Sequence, residues 1–169
     1  ITNAGIICPY KLTIAAVGNA MDNGVELKRN FKVTEINKQD GIFSIKSENG
    51  ETVIGKYLIN CAGCYSDKIA KIAGGRDFTI IPRAGEYLLL DKTVGNTISH
   101  TIFQVPTKEG KGILVTPTVD GNLLTGPTAS IVESPENTET TKVGINTVIK
   151  FARKSVPMVD FSKVITSFT

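Results

Sequence analysis

Residues 57–70, with the sequence YLINCAGCYSDKIA, are the part of the chain that decides the fold. Their apolar start completes a strand predicted from Thr52 to Asn60, which then runs into the small residues Ala62 and Gly63 before a short predicted helix. Small residues between a buried strand and a helix N-terminus let a phosphate or ribose approach the backbone and meet free N–H groups. The segment therefore predicts a nucleotide-contacting turn, although a turn packed for steric reasons alone has the same composition.

The residues before this segment predict a helix and then a β-meander. Apolar residues recur at helical spacing from Pro9 until Asn23-Gly24, which is a helix stop. From Val25 to Ile45 the apolar residues instead alternate with a period of two, and Asp40-Gly41 and Asn49-Gly50 are tight-turn signals. We therefore expect consecutive antiparallel strands.

The residues after the segment predict a second sheet. Period-two runs separated by Gly, Pro and Asp turns predict strands at 78–82, 86–90, 101–105, 112–119 and 123–126. One helix is predicted between about Thr138 and Lys154, and a last strand between Lys163 and Phe168. The whole pattern predicts a mixed α/β or α+β fold, with a meander and strand-turn-helix joined to an antiparallel-rich sheet that has flanking helices.

Composition excludes several classes of protein. The 169 residues carry a net charge of +3 that is scattered along the chain, so nucleic acid is not an expected partner. No apolar run approaches the roughly 18 to 20 residues that a spanning helix needs. Three cysteines are too few, and odd in number, for a disulfide framework, which indicates a reducing compartment and predicts a cytoplasmic protein.

Several motifs in fixed order resemble one family. Asn60-Cys61-Ala62-Gly63 is similar to the second nucleotide-contacting motif of FAD-dependent oxidoreductases of the D-amino-acid-oxidase superfamily. Residues 81–87 (IPRAGEY) and 118–129 (TVDGNLLTGPTA) resemble its glycerol-3-phosphate dehydrogenase and L-2-hydroxyglutarate oxidase branch. Residues 6–10 and 103–117 are most similar to the bacterial anaerobic-type glycerol-3-phosphate dehydrogenases.

The resemblance implies two sets of site residues. Four would contact FAD, with the backbone of Val33 at the adenine end and Cys61, Ala62 and Gly63 along the ADP portion. Five would lie on the substrate side of the flavin ring, where Arg83 and Tyr87 would also be catalytic: Arg83, Glu86, Tyr87, Pro127 and Thr128. In the alternative structural interpretation, Arg83 pairs with Glu86 on the sheet surface and Tyr87 is a core aromatic residue.

The resemblance also implies a domain layout and an incomplete cofactor site. Residues 1–77 would form part of an FAD-binding domain with a linking helix, residues 78–162 a substrate-binding domain, and residues 163–169 the start of a return to the first domain. The chain begins with Ile1 and contains no Gly-x-Gly-x-x-Gly unit, so we expect a fragment of a longer enzyme. By itself it should bind FAD weakly or not at all, lack activity and self-associate.

The activity implied for the full-length enzyme is oxidation of glycerol 3-phosphate to dihydroxyacetone phosphate, with hydride transfer to FAD. An alternative in the same family is a dehydrogenase or oxidase of L-2-hydroxyglutarate or another 2-hydroxy acid. An alternative from another class is a non-catalytic binding or scaffold module. The expected partner is a small anionic hydroxy substrate, and peripheral association of the full-length protein with a membrane stays open.

The spacing Cys61-x-x-Cys64 also suits a zinc or dithiol site. Zinc would need two further ligands, and only His100 and Cys8 remain as histidine or cysteine ligands. We therefore predict no metal site. His100 is a minor candidate for a catalytic base and otherwise a turn or edge residue.

Overall fold

A computed structural model describes residues 4–106 and 112–169, which divide into two units. One unit contains residues 16–81, and the other contains the residues up to 15 together with those from 82 onward. Helix α1, Pro9–Asp22, begins and ends where the sequence predicts. The functional roles given above to residues 1–77, 78–162 and 163–169 stay predictions.

The unit of residues 16–81 contains the predicted meander. Strands β1 (Val33–Gln39), β2 (Ile42–Ser47) and β3 (Thr52–Gly55) form an antiparallel sheet in that order. Asp40 and Gly41 both have positive φ angles, of 51° and 78°, as a two-residue turn between twisted strands requires. Val25 and Leu27 lie before the sheet and not in a strand, which corrects the earlier start expected for the meander.

The sequence predicts a buried strand from Thr52 to Asn60, and the second half of this prediction is wrong. The strand ends at Gly55, and the side chains of Tyr57 and Ile59 are 89% and 84% exposed. A strand is buried only when neighbours flank it, and no described residue pairs with residues 57–60. A 3₁₀ turn at Gly63–Tyr65 then leads into helix α2, Ser66–Ile72, at the predicted place.

The other unit contains an antiparallel four-stranded sheet with one long helix. Its strand order is β6-β7-β5-β9, and a separate pair joins β4 to β8. The bounds are β4 Arg83–Ala84, β5 Tyr87–Leu90, β6 Leu114–Pro117, β7 Leu123–Gly126, β8 Ser130–Ile131, helix α3 Lys142–Ser155 and β9 Val164–Phe168. The strand predicted at 78–82 is absent from the described structure, and the one at 101–105 is reduced to a bridge between Ile102 and Val115. Residues 107–111, part of the family-like stretch 103–117, lie outside the described residues.

The core of this unit lies between the sheet and α3. Leu88 and Leu90 of β5 are buried in one cluster with Val148 and Ala152 of α3, whereas Tyr87 and Leu89 are only half-buried. Successive side chains of a strand point to opposite faces, so Tyr87 and Leu89 point away from the helix. The predicted α+β fold with an antiparallel-rich sheet is confirmed. Among the described residues, no helix combines the length and the apolar character needed to cross a membrane.

Asp91 caps the 3₁₀ turn Lys92–Thr97. This cap leads to a prediction of how acid affects the stability of the protein. Its side chain accepts a hydrogen bond from the Thr93 N–H at 2.9 Å, and this bond lowers the pKa of the carboxyl group. A lowered folded-state pKa gives stability that is present above the unfolded pKa and is lost as pH falls through the folded value. In thermal unfolding at about pH 7 and pH 3, the Asp91→Asn variant should therefore lose less melting temperature on acidification than the wild type. An equal loss in both proteins would contradict the assignment.

Candidate functional site

An open cleft of about 650 Å³ lies at one end of the four-stranded sheet, bordered by the N-terminal half of α3. Its wall contains most of the residues that the sequence places at a substrate: Glu86, Tyr87, Pro127 and Thr128. Arg83 is not part of this wall. It is exposed on β4, where it pairs through the backbone with Ile131.

Tyr87 is held between two neighbours. Its ring stacks on Phe168 of β9, with centroids 5.2 Å apart and planes 12° apart. On the β7 side, a Cβ atom added to Gly126 would lie 2.6 Å from the Tyr87 ring, so the ring depends on the absence of a side chain there. Burial raises the pKa of the Tyr87 phenol above its ordinary value. Tyr87 also lines the cleft, and no hydrogen bond to its hydroxyl is found among the described residues.

Glu86 is the buried charged residue of the cleft, with 5% of its surface exposed. Its Oε1 accepts hydrogen bonds from the N–H and hydroxyl of Thr141, at 2.5 and 2.9 Å. Its Oε2 accepts one from the hydroxyl of Thr128 at 3.2 Å. The alternative pairing of Glu86 with Arg83 on the sheet surface does not occur.

Arg83 makes no ion pair within the part of the chain that the structure describes. Its guanidinium is exposed to solvent. An exposed guanidinium presents a planar set of N–H donors that suits a phosphate or carboxylate. The arrangement therefore leaves Arg83 available for an anion.

The cleft also contains residues that sequence reasoning missed. Gln104 donates to the carbonyl of Phe151 at 2.9 Å and to the Ser155 hydroxyl at 3.0 Å, which ties this wall to α3. Thr141 caps α3, and an N-cap preference for threonine was the available signal. No feature of the sequence indicated that Phe168 packs on Tyr87, because the pairing of β9 with β5 cannot be predicted from either segment alone.

The predicted nucleotide turn is closed by Asn60. The side chain of Asn60 donates to the carbonyl of Ser66 at 2.8 Å and accepts from the N–H of Ala62 at 3.2 Å. Cys61 and Gly63 are exposed, and Gly63 has φ +56°, in the left-handed region that glycine adopts without strain. A Cβ atom added to Gly63 would meet nothing within 4 Å, so a ligand has an open approach to this backbone.

Val33, the fourth predicted cofactor contact, begins β1 and is half-buried. In the described structure β1 pairs only with β2, so its outer edge keeps backbone groups open to a ligand. Helix α2, which follows the turn, packs on β1 within the same unit. The open backbone at both places suits a nucleotide cofactor.

The other candidate groups are not among the residues that line the cleft. Cys61 and Cys64 are free and exposed, and within residues 4–106 and 112–169 no cluster of three or more His, Cys, Asp or Glu residues could hold a metal ion. His100 is exposed, and its Nδ1 lies 2.8 Å from the Ser99 hydroxyl. His100 does not line the cleft.

Comparison with known proteins identifies relatives along the whole chain. The model of the family "FAD dependent oxidoreductase" matches residues 1–169. A glycerol 3-phosphate dehydrogenase of Caloramator mitchellensis is 46% identical over 164 residues, which are 97% of this chain and 34% of that protein. The mitochondrial L-2-hydroxyglutarate dehydrogenase of Mus musculus is 30% identical over 145 residues, covering 73% of this chain and 31% of that protein.

Among solved structures, the dithionite-reduced L-α-glycerophosphate oxidase of Mycoplasma pneumoniae, with FAD bound, superposes with a TM-score of 0.76. It is 34% identical, over 88% of this chain and 40% of that one. The chain thus spans only about a third to two fifths of the length of these relatives.

Proposed function

Because the chain belongs to the family of FAD-dependent oxidoreductases, we propose that it is part of an enzyme that oxidises glycerol 3-phosphate to dihydroxyacetone phosphate. The observation that carries this proposal is the convergence of Glu86, Tyr87, Pro127 and Thr128 on one cleft. These residues come from two separate segments of the chain, residues 86–87 and 127–128, and the family-like motifs assign both segments to the substrate side. The 46% identity with a glycerol 3-phosphate dehydrogenase favours this substrate.

FAD is the proposed cofactor, held by the backbone of Val33 and by Cys61, Ala62 and Gly63. When bound, FAD would accept the hydride from the carbon that carries the substrate hydroxyl. The open backbone at Gly63 and at the edge of β1 supports this assignment. Residues 1–77 would then belong to the cofactor-binding domain and residues 78–162 to the substrate-binding domain, with residues 163–169 returning to the first.

The proposed roles on the substrate side follow from the chemistry of the side chains. Arg83 binds the phosphate of the substrate, since its guanidinium is exposed and makes no ion pair with the described residues. The hydroxyl of Tyr87 orients the reacting oxygen or relays its proton. Pro127 and Thr128 shape the wall, and Glu86 belongs to the same wall.

L-2-hydroxyglutarate is the second candidate substrate, because the similarity to the mouse dehydrogenase includes 73% of this chain. Both substrates are anions with a secondary hydroxyl, so Arg83 suits either. Anaerobic titration of the full-length flavoprotein separates them: the proposal expects bleaching of the flavin band by glycerol 3-phosphate and little by L-2-hydroxyglutarate. Absence of bleaching by both, or absence of flavin, would favour a binding or scaffold module instead.

We further propose a cytoplasmic protein whose partner is a small anionic substrate and not nucleic acid. The net charge of +3 is scattered, which supports the second point. In the 169-residue chain expressed alone, the exposed Tyr57 and Ile59 would promote self-association and FAD binding would be weak. Peripheral binding of the full-length protein to a membrane is compatible with this proposal.

Replacing Arg83 with alanine in the full-length enzyme should mainly raise KM. Loss of the paired charge-assisted hydrogen bonds to the substrate anion should lower kcat/KM by the equivalent of about 2 to 4 kcal/mol, with normal flavin content. Arg76→Ala is the matched control, since it removes the same charge from another exposed arginine. Steady-state kinetics and the flavin spectrum measure both effects. Loss of flavin in Arg83→Ala with unchanged KM would contradict the assignment.

Replacing Gly63 with valine should instead empty the enzyme of FAD, because a branched side chain would stand where the nucleotide approaches the backbone. The positive φ at this position adds strain, so a control with similar strain is needed. Gly74→Val provides it, since Gly74 has φ +67° and a Cβ there would also meet nothing within 4 Å. The absorbance of flavin per chain should fall in Gly63→Val and stay near the wild-type value in Gly74→Val. Equal flavin content in the two variants would refute the nucleotide turn.

A further inference from the structure

We infer that Glu86 is a positioning residue, which fixes Tyr87 and the wall of the cleft by bonding to Thr141 and Thr128 and does not itself contact the substrate. This inference rests on the proposed function, in which Tyr87 acts on the substrate. It assigns a role to Thr141 and Gly144 as well, two residues that no motif singled out.

The acceptor atoms of Glu86 are already occupied by the protein. Three donors converge on its carboxylate, two from Thr141 on Oε1 and one from Thr128 on Oε2. Thr128 also accepts the N–H of Glu86 at 2.9 Å, so the two residues are bonded in both directions. No cation among the described residues pairs with this carboxylate. Because an uncompensated buried carboxylate is costly, these donors are what keeps Glu86 in place.

The first turn of α3 is built around the same carboxylate. The Thr141 hydroxyl caps the helix by accepting the N–H of Gly144 at 3.0 Å, and it also bonds to Glu86. A Cβ atom added to Gly144 would overlap the carboxyl group of Glu86. The helix N-terminus and its dipole therefore approach the carboxylate closely, as is favourable for an anion.

Strand β5, which begins directly after Glu86, directs the side chain of Tyr87 to the face away from α3. Glu86, Leu88 and Leu90 are buried on the side of α3, and alternation turns Tyr87 away from the helix. Tyr87 then lies against Gly126 and stacks on Phe168. Movement at Glu86 would therefore shift the adjoining Tyr87 away from its position between Gly126 and Phe168. A misplacement of about 1 Å is enough to lower a rate by up to ~10²-fold.

The experiment is a double-mutant cycle in the full-length holoenzyme with Glu86→Gln, Thr141→Val and the double variant. The glutamine side chain would direct an amide donor or a weaker acceptor at Thr141, and valine removes the hydroxyl while keeping the shape. Both single variants should lower kcat about 10-fold or more, with KM within about 3-fold of the wild type and normal flavin content. The double variant should be no slower than the worse single variant, because both substitutions weaken the same contact between Glu86 and Thr141. Thr141→Ser keeps the hydroxyl and should keep most of the wild-type kcat.

A second readout does not depend on activity. The phenol pKa of Tyr87, raised by burial in the wild type, should fall towards its ordinary value in Glu86→Gln and Thr141→Val. Nuclear magnetic resonance of ¹³Cζ-labelled tyrosine follows this titration, and Tyr87→Phe assigns the signal. The Thr141→Ser variant should keep the wild-type titration.

Three outcomes overturn the inference. A rise in KM in Glu86→Gln that Thr141→Val does not share would mean that Glu86 touches the substrate. A lower melting temperature with unchanged kcat and unchanged Tyr87 titration would mean that the linkage is structural only. Additive effects in the cycle would mean that the two residues act separately. Failure of the proposed function is distinguishable from these, because the wild-type flavin would then not be bleached by glycerol 3-phosphate while the tyrosine titration would still report the linkage.

Discussion

The hydrogen bonds between Glu86 and Thr141 connect the central region of the four-stranded sheet to α3, the long helix that packs on it. Strand β5 lies between β7 and β9, and its buried side chains contact α3. Glu86, two residues before Leu88, places a carboxylate on the same face, where the later positions have apolar side chains. It is satisfied there because the first turn of a helix offers an N–H and a threonine hydroxyl. The end of the sheet, where the cleft lies, thus has a fixed position relative to α3.

Alternation over residues 86–90, which are β5 and the residue before it, gives the two faces different neighbours. Residues 86, 88 and 90 face the helix, and their burial stabilises the unit. Tyr87, between the first two of them, faces the opposite side, where Gly126 and Phe168 leave room for its ring. A shift of one residue in register would exchange the two sets, so the buried leucines also fix the direction of Tyr87.

Local signals in the sequence predicted much of this structure. Asp40-Gly41 and Asn49-Gly50 predicted the meander, because the positive φ angles found at Asp40, Gly41 and Gly50 suit few other residues. Helix α1 was predicted from Pro9 and the Asn-Gly stop. The strand expected to reach Asn60 failed because burial depends on neighbouring strands, which no local pattern shows. Likewise, the convergence of the cleft residues follows from strand pairing between distant segments, and only the family-like motifs indicated it in advance.

The two units differ in how much apolar surface they bury. The buried residues of the large core cluster lie between residues 88 and 159, whereas Ile36 is the one buried hydrophobic side chain described in residues 16–81. A unit with a small core gains proportionally more stability from a bound ligand, since ligand binding adds to the free energy of unfolding by mass action. If FAD binds at Val33 and Gly63 as proposed, it stabilises the unit that has less core of its own. The cleft beside Tyr87, in contrast, is supported by the buried leucines and by Glu86, so its geometry depends on side-chain packing within the chain.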